Sequence, residues 1–323
     1  MKRRSLLTGV PALLALPHGA FAQSDYPNKP IRLVHGFTPG GGVDLTARLV
    51  AQQLQEQMGQ VVNVEGKPGA GGTLASAAVA QSSADGYTLY LMASGHSIAP
   101  ALNPSLSYDS VNDFTMISMV TRFPFAVAVA VNSPVRTIAD LVQAARDKPG
   151  RVSLGHAGIG TGMHFAAAWL QQRIGVQFNE IPYKGGVLAP TAAANGEVDA
   201  VIDNMASMNA LVQGQRLRMI AVTSTTRWPG NPDVPTLAET VSAGFEVNGW
   251  TAVAGPRNLP APVVARLSSE LKKIMAKPEV GERLRSLGLG AVSTEPAVAQ
   301  QTLASEVARW IAVARDAKIQ VPR

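Results

Sequence analysis

The chain has 323 residues, 28 Lys and Arg against 22 Asp and Glu, a formal charge of +6 and no cysteine. Without cysteine there are no disulfides, thiolate metal sites or cysteine nucleophiles, and no amino-terminal lipid anchor, which needs a cysteine at its cleavage site. The cations are scattered, Lys272-Lys273 being an isolated pair, so the clustered stripe of a nucleic-acid binder is missing and no such partner is expected.

The start reads as a leader. Lys2, Arg3 and Arg4 precede an apolar stretch from Leu6 to Leu16, and Ala20-Phe21-Ala22 fits an A-x-A cleavage site. This is the plan of a secretory signal peptide over residues 1–22. The apolar stretch is well short of the ~20 residues of a spanning helix. Arg3-Arg4-Ser5-Leu6-Leu7 also resembles a twin-arginine signal, so the export route, Sec or Tat, stays open. Removing the leader takes three cations away and leaves 301 residues with a formal charge of +3. That length suits two domains that bury about three quarters of their unfolded surface. The expected location is the periplasm.

Along the chain one grammar repeats: an apolar run, a glycine-rich turn, then a helical period. "IRLVHGF" leads through "TPGGG" into "VDLTARLVAQQLQEQM". There Ala47, Val50, Leu54 and Met58 fall on one helix face. "VVNVE" leads through "GKPGAGG" into "TLASAAVAQ", and "YTLYLMA" ends at "SGHS". "FAVAVAV" reads as a buried strand, and Thr137 with Asp140 caps "IADLVQAARDK". "RVSLGHAGIGTGMHFAAAWLQQ", "FNEIPYKGG" and "VDAVIDNMASMNALV" repeat the pattern, and "LRMIAVTS" and "FEVNGWTAVAG" are further strands. Helical segments at about 261–276, 278–287 and 295–317 close the chain. Alternating strands and helices predict an α/β fold with mostly parallel sheets. Two sets of glycine-rich strand ends predict two lobes whose strand edges face across a cleft. Crossovers near 121–125 and 244–249 divide them into 26–123 with 247–323, and 124–246, with the last helices returning to the first lobe.

The turns carry the chemistry. Gly40, Gly41 and Gly42 lack the lysine of a P-loop and the spacing of a dinucleotide loop. What remains is close backbone approach and the positive end of a helix, which suit a carboxylate or an ordered water. An empty tight turn is the plain alternative for one such loop. Here "KPGAGGT" (67–73), "GHAGIGTGMH" (155–164) and "YKGG" (183–186) follow it, and four anion-friendly turns weaken that alternative. Thr73 and Thr161 offer hydroxyls at helix starts, and Ser94 and Ser97 offer them after the third strand. His35, His96, His156 and His164 lie near strand ends. With no H-E-x-x-H and no i, i+4 pair among them, they read as hydrogen-bonding residues, and no metal is expected. No G-x-S-x-G elbow occurs either. Asp203 stands at a strand's carboxyl end on the cleft side, where it can accept hydrogen bonds; Asp199 reads as a solvated strand start. Lys184 reads as a solvated turn residue or a direct carboxylate partner. Phe37, Tyr183 and Trp250 meet the cleft or the core.

In order through almost the whole mature chain stand "YPNKPIRLV…F-PGG", "KPGAGG", "DGYTL", "YDSVNDF", "G-GT--H", "PYKGG", "G-VDAVIDN", "AVTS--R" and "DVPTLAE…GFEV--W". This ordered set resembles the Bug family, the extracytoplasmic solute-binding components of tripartite tricarboxylate transporters. The resemblance implies a two-lobed Venus-flytrap fold of the type II periplasmic binding class, capture of a small organic acid, no cofactor, a membrane permease as partner and a monomer. It implies that Pro39-Gly40-Gly41 and Gly69-Ala70-Gly71-Gly72 hold one ligand carboxylate, partly through ordered waters. Gly160-Thr161, Tyr183 and Asp203 would complete the pocket from the second lobe. With the residues read directly, the expected ligand-binding set is Phe37, Pro39, Gly40, Gly41, Ala70, Gly71, Ser94, His96, Gly160, Thr161, His164, Tyr183, Asp203 and Trp250.

Three departures stand out. Gly66 replaces a common asparagine, Thr251-Ala252 replace an aromatic after the tryptophan, and Gly162 replaces a serine or threonine. They suggest a roomier or differently polar pocket. Two other functions compete with solute capture: an exported enzyme acting on a carboxylate with Asp203 or His164 as base, and a ligand sensor for a receptor ectodomain.

Overall fold

Strands and helices alternate along residues 26–185 and 187–316, the part of the chain that the computed structural model describes. The expected leader at 1–22, Gly186 and residues 317–323 lie outside it. β1 (Ile31–His35) leads into α1 (Gly42–Met58), β2 (Val62–Gly66) into a 3-10 turn (Ala70–Gly72) and α2 (Thr73–Ala80), and β3 (Thr88–Ala93) into α3 (Gly95–Leu102). The long β4 (Phe114–Ala130) follows, then α4 (Ile138–Asp147), β5 (Ser153–His156), α5 (Gly162–Ile174), β6 (Asn179–Pro182) and α6 (Leu188–Asn195). β7 (Ala200–Asn204), α7 (Met205–Gln213), β8 (Leu217–Val222), α8 (Leu237–Thr240) and β9 (Asn248–Pro256) come next. α9 (Ala261–Met275), α10 (Pro278–Ser286), β10 (Gly290–Ala291) and α11 (Pro296–Asp316) close the chain.

Local chemistry explains the main elements. In α1 the single apolar face is buried: Ala47, Val50 and Leu54 are 0% exposed and Met58 packs at the edge of the same core. α4 starts at a capping box in which Thr137 Oγ1 accepts from Asp140 N at 3.1 Å and the Asp140 carboxylate accepts from Thr137 N at 2.9 Å. Two orphan donors of the first turn are thereby satisfied.

The strands run in the order β2-β1-β3-β9-β4-β7-β5-β6, with β8 and β10 also on β4. Between the named strands of the described residues, parallel pairing is found in β2-β1-β3 on one side and in β7-β5-β6 on the other. The strands that join these halves, β9 and β4, pair antiparallel. β4 belongs to both halves. Residues 114–124 pair with β9, and residues 125–130 pair with β7 and β8. The register slips twice against β9 and once against β8, and such bulges bend a strand. Only "FAVAVAV" of this strand is legible in sequence, because Pro124 reads as a breaker; here it sits where β4 changes partners, at a sheet boundary that tolerates it.

α11 contacts both halves. Its start returns to the first half, with Ala299 and Leu303 buried beside Tyr90 and Trp250. Its end crosses to the second half, where Trp310 meets Phe165 of α5 at a ring distance of 5.0 Å. The last helix therefore ties the two halves together.

The buried face of α1 generates a direct test. Leu54→Ala is expected to cost about 2–5 kcal/mol, seen as a lower urea midpoint at unchanged slope. A cost below 0.5 kcal/mol would contradict the packing of α1 described here.

Candidate functional site

Two connected cavities lie where the halves meet. The inner one is small, about 30 Å³, which is room for a water or two. Gly41, Gly42, Val43, Ser94, Gly95, Phe123, Phe125, Thr161, Gly162, Met163, Asp203, Asn204, Ser207 and Trp250 line it. The outer one is about 510 Å³, lined by Thr38, Pro68 to Gly71, Gly158, Ile159 and Pro182 to Gly185. Phe37, Ala157 and Thr161 line both, so the two cavities adjoin.

Four helix starts converge on the inner cavity: Gly42-Val43 of α1, Gly95 of α3, Gly162-Met163 of α5, and Asn204-Ser207 at the head of α7. First-turn N–H groups have no partner within their own helix, and each helix start carries about half a positive charge. Some of these donors are met by caps. Thr161 Oγ1 accepts from His164 N at 3.2 Å, and Asn204 Oδ1 accepts from Ser207 N at 2.9 Å. The starts of α1 and α3 have no side-chain cap.

Two buried polar atoms of the lining have no hydrogen-bond partner among the described residues, Asp203 Oδ2 and Trp250 Nε1. Asp203 is fully buried, and its Oδ1 accepts from Asn204 N at 2.7 Å. Burial pushes its carboxyl up to about 8, against the opposing pull of that N–H. At neutral pH it is therefore largely protonated, and its second oxygen can donate. The site offers an oxygen-rich ligand an indole N–H, a carboxyl O–H and several main-chain N–H groups.

The halves touch through bare backbone. Gly71 has φ +66°, and a Cβ there would lie 2.8 Å from the Gly160 carbonyl carbon. A Cβ on Gly42 would lie 2.9 Å from Asn204 Oδ1. At both positions a side chain would hold the halves apart. Thr38 Oγ1 also donates across to the Lys184 carbonyl at 3.3 Å.

Of the residues singled out in the sequence, Phe37, Gly41, Ser94, Thr161, Asp203 and Trp250 line the inner cavity, and Phe37, Ala70, Gly71, Thr161 and Tyr183 line the outer one. Gly160 meets Gly71 at the contact between the halves. Pro39 and Gly40 lie on the exposed outer turn, outside both linings. His96 lines neither cavity. It faces its own half, with Nδ1 2.9 Å from Ser76 Oγ, Nε2 2.9 Å from the Ser110 carbonyl, and Phe114 and Tyr108 against the ring. His164 lies behind its loop, where Nδ1 accepts from Gly160 N at 3.3 Å. Asp199 is exposed directly before β7, where its Oδ2 accepts from Ser153 N at 2.7 Å.

The departures do not enlarge the inner cavity. A Cβ on Gly162 would lie 2.8 Å from Phe125 Cζ, so a phenyl ring occupies the space that a serine or threonine would need. Thr251 is turned away, its hydroxyl 2.6 Å from Thr121 Oγ1. Sequence reasoning missed Phe125, Gly95, Asn204 and Ser207. A signal for the last two was present, since asparagine directly after an apolar strand is a good helix N-cap.

One side-chain cluster has the composition of a metal site. A ligand atom each from His156, His164 and Glu180 lie within 4.8 Å of one another. Both rings, however, accept a main-chain N–H at Nδ1, from Gly158 and Gly160 respectively. A neutral ring in that role carries its hydrogen on Nε2, the atom that would have to bind the metal.

A sequence profile described as "Tripartite tricarboxylate transporter family receptor" matches residues 46–319. The protein BugT of Bordetella pertussis is 32% identical over 293 residues, 90% of either chain. A solved structure described as "R. palustris Rpa4515 with adipate" superposes with a TM-score of 0.88 at 31% identity, covering 92% of this chain and 99% of that one. MatC from Rhodopseudomonas palustris with bound malate superposes at 0.84 and 29% identity, covering 89% and 99%.

The buried carboxyl has a pH signature. Between its ordinary range near 4 and about 8, the folded chain holds a proton at Asp203 that the unfolded chain has lost. Stability then falls as pH rises through that window. Asp203→Asn removes this loss. The variant is expected to gain on the wild type from pH 4.5 to 7.5 by up to roughly 1.4 kcal/mol per pH unit in urea unfolding. Parallel stability curves would contradict a protonated Asp203.

Proposed function

We propose a function from one premise: the chain belongs to the tripartite tricarboxylate transporter receptor family. It is a periplasmic solute-binding receptor, and its ligand is a small organic carboxylate. The observation that carries this reading is the convergence of four helix starts with Trp250 Nε1 and Asp203 Oδ2 on one cavity. Such a site favours an anion through main-chain donors, with no need of an arginine. The adipate and malate in the two structural relatives support the same ligand class.

One carboxylate enters the inner cavity and takes the first-turn N–H groups of α1 and α5, the Trp250 N–H and the Asp203 O–H. The rest of the ligand lies in the outer cavity between Phe37, Ala70 and Tyr183, with Lys184 placed for a second carboxylate. The lobes are residues 26–123 with 247–323 and residues 124–246. They turn about β4 near Pro124 and about the entry to β9. A ligand that touches both lobes favours the closed form by its differential affinity for it.

The closed monomer then docks on the membrane permease of the transporter. Residues 1–22 direct export and are removed, and no helix among the described residues is long and apolar enough to cross a membrane. An enzymatic role fits less well. His164 has Nδ1 engaged by Gly160 N, and Asp203 has no basic side chain paired with it, so an acid–base couple is missing from the cavity among the described residues.

The test is thermal unfolding of residues 23–323, refolded to strip bound ligand, against aliphatic and aromatic mono- and dicarboxylates. A true ligand at about 100 times its dissociation constant adds about 2.7 kcal/mol of stability. Silence across a millimolar panel would overturn the carboxylate reading. For a diacid that binds, Lys184→Ala is expected to weaken affinity about fivefold, the roughly 1 kcal/mol of an exposed ion pair. The matching monoacid should be unaffected; equal loss for both would remove Lys184 from the second subsite.

A further inference from the structure

The two cleft loops are held from behind on the same plan, one in each lobe. In the first lobe β1 ends at His35, whose Nδ1 accepts from Phe37 N at 3.4 Å. Its Nε2 is 3.3 Å from Asp44 Oδ1. Asp44 Oδ2 accepts from Gly40 N at 3.0 Å and from Arg48 Nε at 3.0 Å. In the second lobe β5 ends at His156, whose Nδ1 accepts from Gly158 N at 3.2 Å. Its Nε2 is 3.5 Å from Glu180 Oε2. His164 Nδ1 accepts from Gly160 N, its Nε2 is 3.8 Å from the same oxygen, and Glu180 Oε1 accepts from Gln171 Nε2 at 2.5 Å.

The correspondence is positional. In each lobe a strand-end histidine takes the N–H two residues on. In each lobe the N–H of the glycine before the helix N-cap, Gly40 or Gly160, goes to a side chain in the first turn of that helix, Asp44 or His164. The histidines and Asp44 are buried, His35 and His156 at 1% exposed, Asp44 at 3% and His164 at 4%, while Glu180 is half-buried. Burial keeps all three imidazoles neutral by lowering their pKa. A neutral ring that accepts at Nδ1 carries its hydrogen at Nε2, and each Nε2 faces a carboxyl oxygen. Those oxygens, Asp44 Oδ1 and Glu180 Oε2, have no hydrogen-bond partner among the described residues, and the rings lie 3.3–3.8 Å from them.

We propose that His35 with Asp44, and His156 and His164 with Glu180, are positioning residues that set the two anion-binding loops without touching the ligand. The proposal rests on the receptor reading above for its purpose but not for its geometry. Each ring fixes the path of a short loop whose next residues, Gly41 to Val43 or Thr161 to Met163, line the inner cavity. A donor set spread over two lobes works only if both loops present their N–H groups at a fixed angle when the lobes meet.

The experiment has two arms. In nitrogen-15-labelled full chain, long-range proton–nitrogen correlation of the histidine rings reads the tautomer directly. His35, His156 and His164 are expected as neutral rings protonated at Nε2. Protonation at Nδ1, or a shift of the His156 and His164 nitrogens to metal-bound values on adding one equivalent of zinc, would overturn the proposal. The second arm measures adipate binding by calorimetry. His156→Asn places an amide oxygen near the lost Nδ1 and is expected to bind within about threefold of wild type, whereas His156→Leu loses tenfold or more. Equal loss in both variants would overturn the positioning role. Should wild type ignore adipate, the receptor reading is what suffers, and the tautomers still decide the braces.

Discussion

A helix cannot satisfy its own first N–H groups, and this protein aims four sets of them at one point. That constraint organises the rest of the molecule. Parallel β-α units place a helix start at the carboxyl end of each strand, so β1 and β3 deliver donors to one sheet edge and β5 and β7 to a second. Two lobes are needed because one sheet edge presents its donors to solvent; a second edge, turned to face it, excludes the water. Two buried atoms without a partner among the described residues, the Trp250 indole nitrogen and one Asp203 oxygen, belong to residues that line this shell. An anion with two or more oxygens is the ligand that meets most of these donors at once.

Closure imposes the second requirement, that backbone meet backbone. The glycines that look like loop punctuation in the sequence are contact points. Gly71 stands against the Gly160 backbone and Gly42 against the Asn204 side-chain amide, at distances that leave no room for a side chain on either glycine. The same bareness keeps main-chain N–H groups open toward the cavity. Flexible glycine loops would be poor binding surfaces unless something stiffened them, and buried imidazoles bonded to loop N–H groups supply that stiffness. β4 and α11 span both halves, so continuous elements rather than a loose linker join the lobes.

Much of this is legible in the sequence because it is local. The apolar face of α1, the Thr137 box and the glycine turns follow from periodicity and capping chemistry. The ordered family motifs carry the fold and the ligand class. What escapes is set by tertiary partners. The full length of β4 is hidden by Pro124, which is harmless only because the strand changes partners there. His96 and His164 look alike in sequence, yet His96 is consumed by Ser76 and Ser110 while His164 holds a loop. The glycine at 162 suggests extra space, and only the packing reveals that Phe125 takes it. The path of α11 is equally non-local, since Trp310 finds its partners on α5.

The central claim is that a carboxylate's charge, shared among helix starts on both lobes, draws the lobes together. Small-angle X-ray scattering on ligand-stripped residues 23–323 tests it most directly, with adipate and its neutral diamide compared at equal concentration. The diacid should contract the particle and sharpen its distance distribution, and the diamide, of the same length and nearly the same shape, should not. Equal contraction with both would show that shape and burial close the lobes without the anion, and would contradict the account.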